Sequence, residues 1–413
     1  MGCQSRTAVV LHCGFSLAGI SVISKEPFNR AERHAVISLA SLYSFRMLGL
    51  FMVLPLLSVY AADMPGATPQ MLGFALGAYG LTQALLQLPL GWLSDRVGRK
   101  PVVIAGLLVF IVGSAIAARA QDINGIVLGR FLQGCGAIAA ALTAMAADYT
   151  RDDQRTKTMA IIGASVGMSF VLALVIGPVL AAVGGLAMVF NATALLGTIG
   201  LGIVIFVLPS TRGLAASDVR GAFEAEHLFG GGLPVLYFGI FVLHAILMAT
   251  FLVVPKIMAD HLGFPPDHHW VLYLGSVLLS LPPALLLMRR GRADVDPRRI
   301  ILLAMALLAA GTLLALQAQS LWWLGVGMVM LFAGINTLEA VLPALVTRLA
   351  PSNLRGTASG IFSTSQFLGI FVGGVAGGYV LGQGGITAIA YSVVALALLW
   401  SLSVINLRLI AST

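Results

Sequence analysis

Gly91-Trp-Leu-Ser-Asp95-Arg96-Val-Gly98-Arg99-Lys100 separates two apolar runs, at about 70–93 and 100–119. Each run is long enough to cross the roughly 30 Å hydrocarbon core of a bilayer as a helix. A compact basic turn between two spanning helices lies at a membrane face, and the basic face is normally cytoplasmic.

The composition extends this reading to the whole chain. Of 413 residues, 59% are hydrophobic and 10% charged, where a soluble domain carries about 25% charged residues. So much apolar surface does not fit inside a water-soluble core. In lipid each span must satisfy its own backbone hydrogen bonds, which leaves helices or closed barrels. A barrel needs polar/apolar alternation; these runs are continuous, so the fold class is an all-α membrane protein. The net charge of +8 reads as loop charge facing anionic lipid rather than as a nucleic-acid surface. Cys3, Cys13 and Cys135 form no disulfide framework or metal spacing. No carboxylate pair, nucleophile triad or nucleotide-binding loop stands out, so neither an enzyme nor a resident cofactor or metal is expected.

Residues 1–26 are apolar but short for a span, without a clear signal-peptide pattern; a dispensable N-terminal extension is expected there. Beyond them the hydropathy predicts twelve spans, at about 35–60, 70–93, 100–119, 123–147, 158–183, 185–208, 234–258, 270–288, 299–318, 320–346, 357–382 and 385–408. They form two sets of six, over 27–209 and 233–413, joined by a more polar linker at 210–232 with Arg212, Asp218, Arg220, Glu224 and Glu226. Arg96, Arg99, Lys100, Arg151, Arg155, Lys157, Arg289, Arg290, Arg292, Arg298, Arg299, Arg348 and Arg355 all follow even-numbered spans. On the opposite side only Arg119 and Lys256 lie near a span end. That bias places both termini in the cytoplasm. The halves also align at an offset close to 200: Pro55 with Pro255, Gly91 with Gly291, Arg155 with Arg355, Gly177 with Gly377. Parallel six-span repeats place a substrate site near mid-membrane between the halves.

The turn quoted above follows Gly-x-Leu-x-Asp-Arg-x-Gly-Arg-Lys. It resembles the signature loop between helices 2 and 3 of the major facilitator superfamily, the MFS transporters. The resemblance implies two pseudo-symmetric six-helix bundles that rock about a central cavity. Tyr79, Gln83, Gln87, Gly91 and Asp95 recur every four residues and share one helix face. In the family this face packs on helix 11, whose N-terminal dipole would attract Asp95. Arg96 is expected to pair with Asp148. The resemblance thus implies a conformational latch of Gly91, Asp95, Arg96, Gly98, Arg99 and Asp148. The equivalent second-half loop, Gly291-Arg292-Ala293-Asp294, has lost the pattern.

Four spans carry unusual polar residues. Ile126-Val-Leu-Gly-Arg130-Phe-Leu-Gln133-Gly134-Cys-Gly136 resembles the family's helix 4 motif, in which a buried arginine bears on proton coupling. Asn336 and Glu339 share a face of span 10, and Glu339 is an acid deep in a span. A carboxyl carried between a dry and a cation-bearing setting binds and releases a proton. His244 in span 7 is a second titratable candidate. The expected proton-coupling set is therefore Glu339 and His244, with Arg130 as tuning charge. Span 1 holds Arg46 where many drug exporters of the family carry an acid. This favours an acidic or neutral ligand group, or a pair with Glu339. Gln83, Gln133, Asn336 and Gln366 join Arg46 as candidate cavity residues. The alternative for each is static helix packing.

Gly163-x-x-x-Gly167 followed by Ala173-Leu-Val-Ile-Gly177-Pro178 resembles the family's antiporter motif, with Ala for its first Gly. Gly167, Gly177 and Pro178 are expected to permit close helix crossing and bending. Phe45-Arg-Met-Leu-Gly49, Tyr79-Gly-Leu-Thr-Gln83 and Ser363-Thr-Ser-Gln-Phe-Leu-Gly369 make the chain most similar to the YajR-type branch of proton-driven drug exporters. Relatives of that branch carry a soluble regulatory domain after the last span; ending at Thr413, this chain is expected to lack it. The expectation is a monomeric, multi-pass bacterial inner-membrane antiporter, exporting small lipophilic or drug-like molecules in exchange for protons. Its partners are that substrate, protons and the bilayer; no nucleic acid and no cofactor other than the proton gradient are expected. The competing readings are a transporter of one metabolite, such as a sugar or organic anion, and a non-transporting MFS-like receptor.

Overall fold

A computed structural model describes residues 27–208, 228–290, 296–351 and 354–406. The extension at 1–26, most of the linker including Arg212 to Glu226, and the degenerate loop at Gly291–Asp294 lie outside the described residues. The described residues are helical, without strands.

The spans are α1 (Arg30–Val53), α2 (Pro69–Val97), α3 (Arg99–Ala118) and α4 (Ile123–Asp148, interrupted between Cys135 and Ala139). A continuous stretch, Arg155–Gly202, supplies α5 (155–183) and α6 (186–202). The second half holds α7 (Leu233–Lys256), α8 (His269–Arg290), α9 (Pro297–Leu316) and α10 (Leu321–Leu349). Arg355–Ile405 supplies α11 (355–384) and α12 (386–405).

Ten described stretches are long and apolar enough to cross a bilayer, two of them 51 residues long. A straight helix of that length would run about 76 Å, more than twice a bilayer core. Both fold back at glycine: Gly184–Gly185, with Gly185 at φ 62°, and Gly385 at φ 65°. Contacts on α1 show the reversal. Ser44 Oγ bonds Ser165 O at 3.3 Å and Thr193 Oγ1 bonds Gly49 O at 3.4 Å. Residues 28 apart in sequence thus meet α1 five residues apart. Each long stretch is a helical hairpin, and the described spans number twelve, as the hydropathy predicts.

The halves repeat one another in packing detail. Gly113 and Gly129 hold α3 against α4, and Gly311 and Gly327 hold α9 against α10. A Cβ on Gly113 would lie 2.7 Å from Gly129 O; one on Gly311 would lie 2.6 Å from Gly327 O. Only glycine lets backbones approach this closely, the device that joins helices in lipid, where burial alone gives little drive. Gly177 sits on α1 at Met52 and Gly377 on α7 at Ala249, so that aligned pair does equivalent work. The Pro55 and Pro255 pair marks a break in each half: α1 stops at Val53, and a π-turn, Ile257–His261, follows α7.

The halves meet chiefly along α2 and α11, which run antiparallel. Gly73 lies on Gly374 and Gly378, Gly77 on Phe371, and Gly80 on Phe367. Ser58 Oγ reaches Phe251 O at 3.4 Å, and Phe170 of α5 contacts Phe332 of α10 with centroids 6.1 Å apart. These contacts lie towards the membrane face opposite the signature loop. At the loop end, Trp92, Asp95 and Arg96 stand exposed. The molecule is closed at the far end and parts towards the loop end, beyond the contact of Leu88 with the Gly360 position of α11.

Candidate functional site

The signature turn is set by one residue. Gly98 alone separates α2 from α3, at φ 104° and ψ 145°, a region an L side chain rarely adopts. The turn brings Arg99 to Asp148 at 2.6 Å and to Asp95 at 3.8 Å. The expected Arg96–Asp148 pair is therefore replaced: Arg99 takes the acid, and Arg96 stacks over the Trp92 ring at 3.8 Å. Arg96 lies one residue further around the α2 end and points outward. Lys100 Nζ donates to Ile205 O and Leu208 O at 3.1 and 2.7 Å, covering carbonyls left open at the end of α6. Arg151 Nε donates to Glu32 Oε1 at 3.0 Å, tying the α4–α5 turn to the start of α1. Neither of these two ties was legible in the motif.

The face of α2 is also corrected. Gly91 meets Ala140 of α4, a Cβ there lying 3.1 Å from the Ala140 Cβ. Gln83 and Gln87 are buried, and Gln83 points to α1. The surface on α11 is instead the Gly73, Gly77, Gly80 stripe, with Tyr79 touching Phe367 at its edge, centroids 6.2 Å apart. Asp95 is 55% exposed and, among the described residues, makes no ion pair with the other half.

In the second half, Glu339, His244 and Gln366 converge from α10, α7 and α11. His244 Nε2 lies 3.3 Å from Glu339 Oε1 and 2.9 Å from Gln366 Nε2, while Nδ1 lies 3.1 Å from Ile240 O. A carbonyl only accepts, so Nδ1 carries hydrogen and Nε2 of the neutral ring is an acceptor. A carboxylate oxygen facing that lone pair would be repelled. The Gln366 amide N–H is the donor that Nε2 accepts from, at 2.9 Å, so a proton placed on Oε1 or on the ring would relieve this repulsion only by displacing that amide. His244 is buried at 7% side-chain exposure, whereas Glu339 keeps 38%. Asn336, expected beside Glu339, instead donates to Ser280 Oγ of α8 at 3.0 Å.

In the first half, Arg46 Nη2 donates to Gln83 Oε1 at 2.6 Å and Gly136 O at 3.0 Å. Gln83 Nε2 donates onward to Gln87 Oε1 at 2.9 Å. Arg130 reaches Gln133 Oε1 at 3.0 Å and Ala75 O at 3.4 Å, and Gln133 is held by Ser114 at 2.8 Å. Neither arginine pairs with Glu339, against expectation; Glu339 faces His244. In the antiporter motif, Gly177 packs on α1, its Cβ position 2.9 Å from Met52 O, and Pro178 lies within α5. Gly163 and Gly167 meet nothing within 4 Å, so the expected packing at Gly167 is absent where the loop ends part.

A twelve-span fold of two repeated halves, carrying buried ionisable groups in both, defines a secondary-transporter architecture. The family model of the Major Facilitator Superfamily matches residues 39–293 and again 236–411. The chain belongs to the major facilitator superfamily, a family of membrane transporters and not of enzymes. It is 42% identical over 357 residues to the inner membrane transport protein YajR of Escherichia coli K12, covering 85% of this chain and 78% of that one. It is 30% identical over 325 residues to the multidrug resistance protein MdtL of Klebsiella pneumoniae strain 342, covering 74% and 78%. Among solved structures, a bacterial homologue of the human lysosomal transporter Spinster, inward-facing and occupied, superposes with a TM-score of 0.75 at 13% identity, covering 93% and 98%. That likeness carries the fold alone.

Proposed function

We propose that this chain is a proton-coupled antiporter of the bacterial inner membrane, exporting small lipophilic molecules by alternating access. The observation that carries the proposal is the Glu339–His244–Gln366 cluster, a partly exposed acid 3.3 Å from a buried imidazole. An acid deep in a span is costly and marks ion or proton pathways. Export is favoured by the Gly177–Pro178 pair within α5, which resembles the family's antiporter motif, and by the similarity to a protein named for multidrug resistance. With the signature turn cytoplasmic, as basic turns are, the parted end faces the cytoplasm, where a substrate to be exported would enter. Release of the far-end contacts at Gly73, Gly77 and Gly80, with capture of Asp95 by the α11 N-terminus, would give the opposite state.

Inverted membrane vesicles test the reading, with ethidium and fluorescein as lipophilic probes of opposite charge. Uptake of at least one dye should require an imposed proton gradient and vanish in Glu339→Gln. Dye movement indifferent to the gradient, or equal in the variant, contradicts it.

A further inference from the structure

The first half holds two buried guanidinium groups that do not touch Glu339. Arg46 is 1% exposed and Arg130 0%. Both lie near one ring, Tyr79, at 5.9 and 5.2 Å from its centroid. Every partner they have is neutral: two glutamine amide oxygens and two backbone carbonyls. Among the described residues no carboxylate forms an ion pair with either. Arg46 Nε and Nη1, Arg130 Nη2 and the Tyr79 hydroxyl are buried with no hydrogen-bond partner. Burying a cation without a counter-charge is strongly unfavourable, and each unmade bond of a buried donor adds to that. Static packing does not account for the arrangement, because nearby polar groups are satisfied: Gln133 by Ser114, Gln83 by Gln87.

We propose that Arg46, Arg130 and Tyr79 form an anion site that takes one small monovalent negative group, either chloride or the carboxylate of a carried molecule. The four unpaired groups are all able to donate, and both guanidinium groups lie beside the one Tyr79 ring. Gln83 Oε1, 2.6 Å from Arg46, holds the place of the acceptor while the site is shut. Arg46 and Arg130 each stand seven residues from the far end of their helix, about 10 Å in. They lie on the closed side of the molecule, so the site opens to the far side when α2 leaves α11. No step of this depends on Glu339, which sits in the other half.

The full chain, purified in detergent in sodium methanesulfonate, tests the site through its thermal midpoint. Chloride is titrated in one arm and benzoate in the other, at constant ionic strength. The expected result is a saturable rise with chloride, with benzoate, or with both in competition. A rise with chloride alone assigns the site to the free ion; one with benzoate alone assigns it to an organic carboxylate. The rise should be lost in Arg46→Gln and kept in Arg348→Gln, an exposed arginine. Tyr79→Phe keeps the ring and removes only the unpaired hydroxyl, so apparent affinity should fall roughly 2–10-fold. A saturable rise with neither anion, or an equal rise in Arg46→Gln, overturns the proposal. Should Arg46→Gln not fold, unchanged affinity in Tyr79→Phe overturns it.

Discussion

Glu339 and His244 show what single residues contribute and how far their types predict it. An acid and an imidazole deep in two apolar spans are conspicuous in sequence, because each is costly in lipid. Their 3.3 Å meeting is not, since it depends on how α7 and α10 pack. The same holds for Arg99. The motif names three cations, but which one reaches Asp148 depends on the turn that Gly98 makes at φ 104°. Gly98→Ala should cost about 1–2 kcal/mol through forced left-handed backbone, read as a lowered thermal midpoint. His244→Gln removes the ring that lies 3.3 Å from Glu339. It should blunt the pH dependence of dye efflux while leaving the fold intact; an unaltered pH profile would exclude His244 from coupling.

The helices owe their number to hydropathy and their pairing to glycine. Twelve spans were readable from length and polarity, including the boundaries at Gly184–Gly185 and Gly385. Partner choice was less so, because a small residue permits close approach without naming the neighbour. Gly91 thus faces α4, and the α11 contact falls to Gly73, Gly77 and Gly80. A Cβ on Gly77 would lie 2.7 Å from Phe371 O, a backbone atom that cannot swing aside. Gly77→Val should therefore part α2 from α11 and open the far end. Ser58→Cys, at a position fully buried at that end, should then react with a membrane-impermeant maleimide in a background carrying Cys3→Ser, Cys13→Ser and Cys135→Ser. In the parent with Gly77 intact it should react more slowly; equal rates would contradict the far-end closure.

At the scale of the whole molecule, two repeated halves touch at one end and part at the other. The repeat was visible in aligned Pro and Gly positions, and it reappears as paired crossings at Gly113–Gly129 and Gly311–Gly327. The conformation was not visible, because one sequence encodes every state of a rocking molecule. The exposure of Asp95, 55%, follows from that conformation: its proposed partner, the α11 N-terminus, is engaged only when the loop end closes. Asp95→Asn should leave the protein folded and remove most dye transport, measured in vesicles at equal protein content; undiminished transport would remove the latch as a working part.

The central claim is that Glu339 carries the coupling proton and releases it as pH rises. Infrared difference spectra of the purified chain across a pH titration read a protonated carboxyl without requiring a substrate. The account predicts a carboxyl band that fades with rising pH in the parent and is missing in Glu339→Gln. Identical spectra from the two proteins would contradict it.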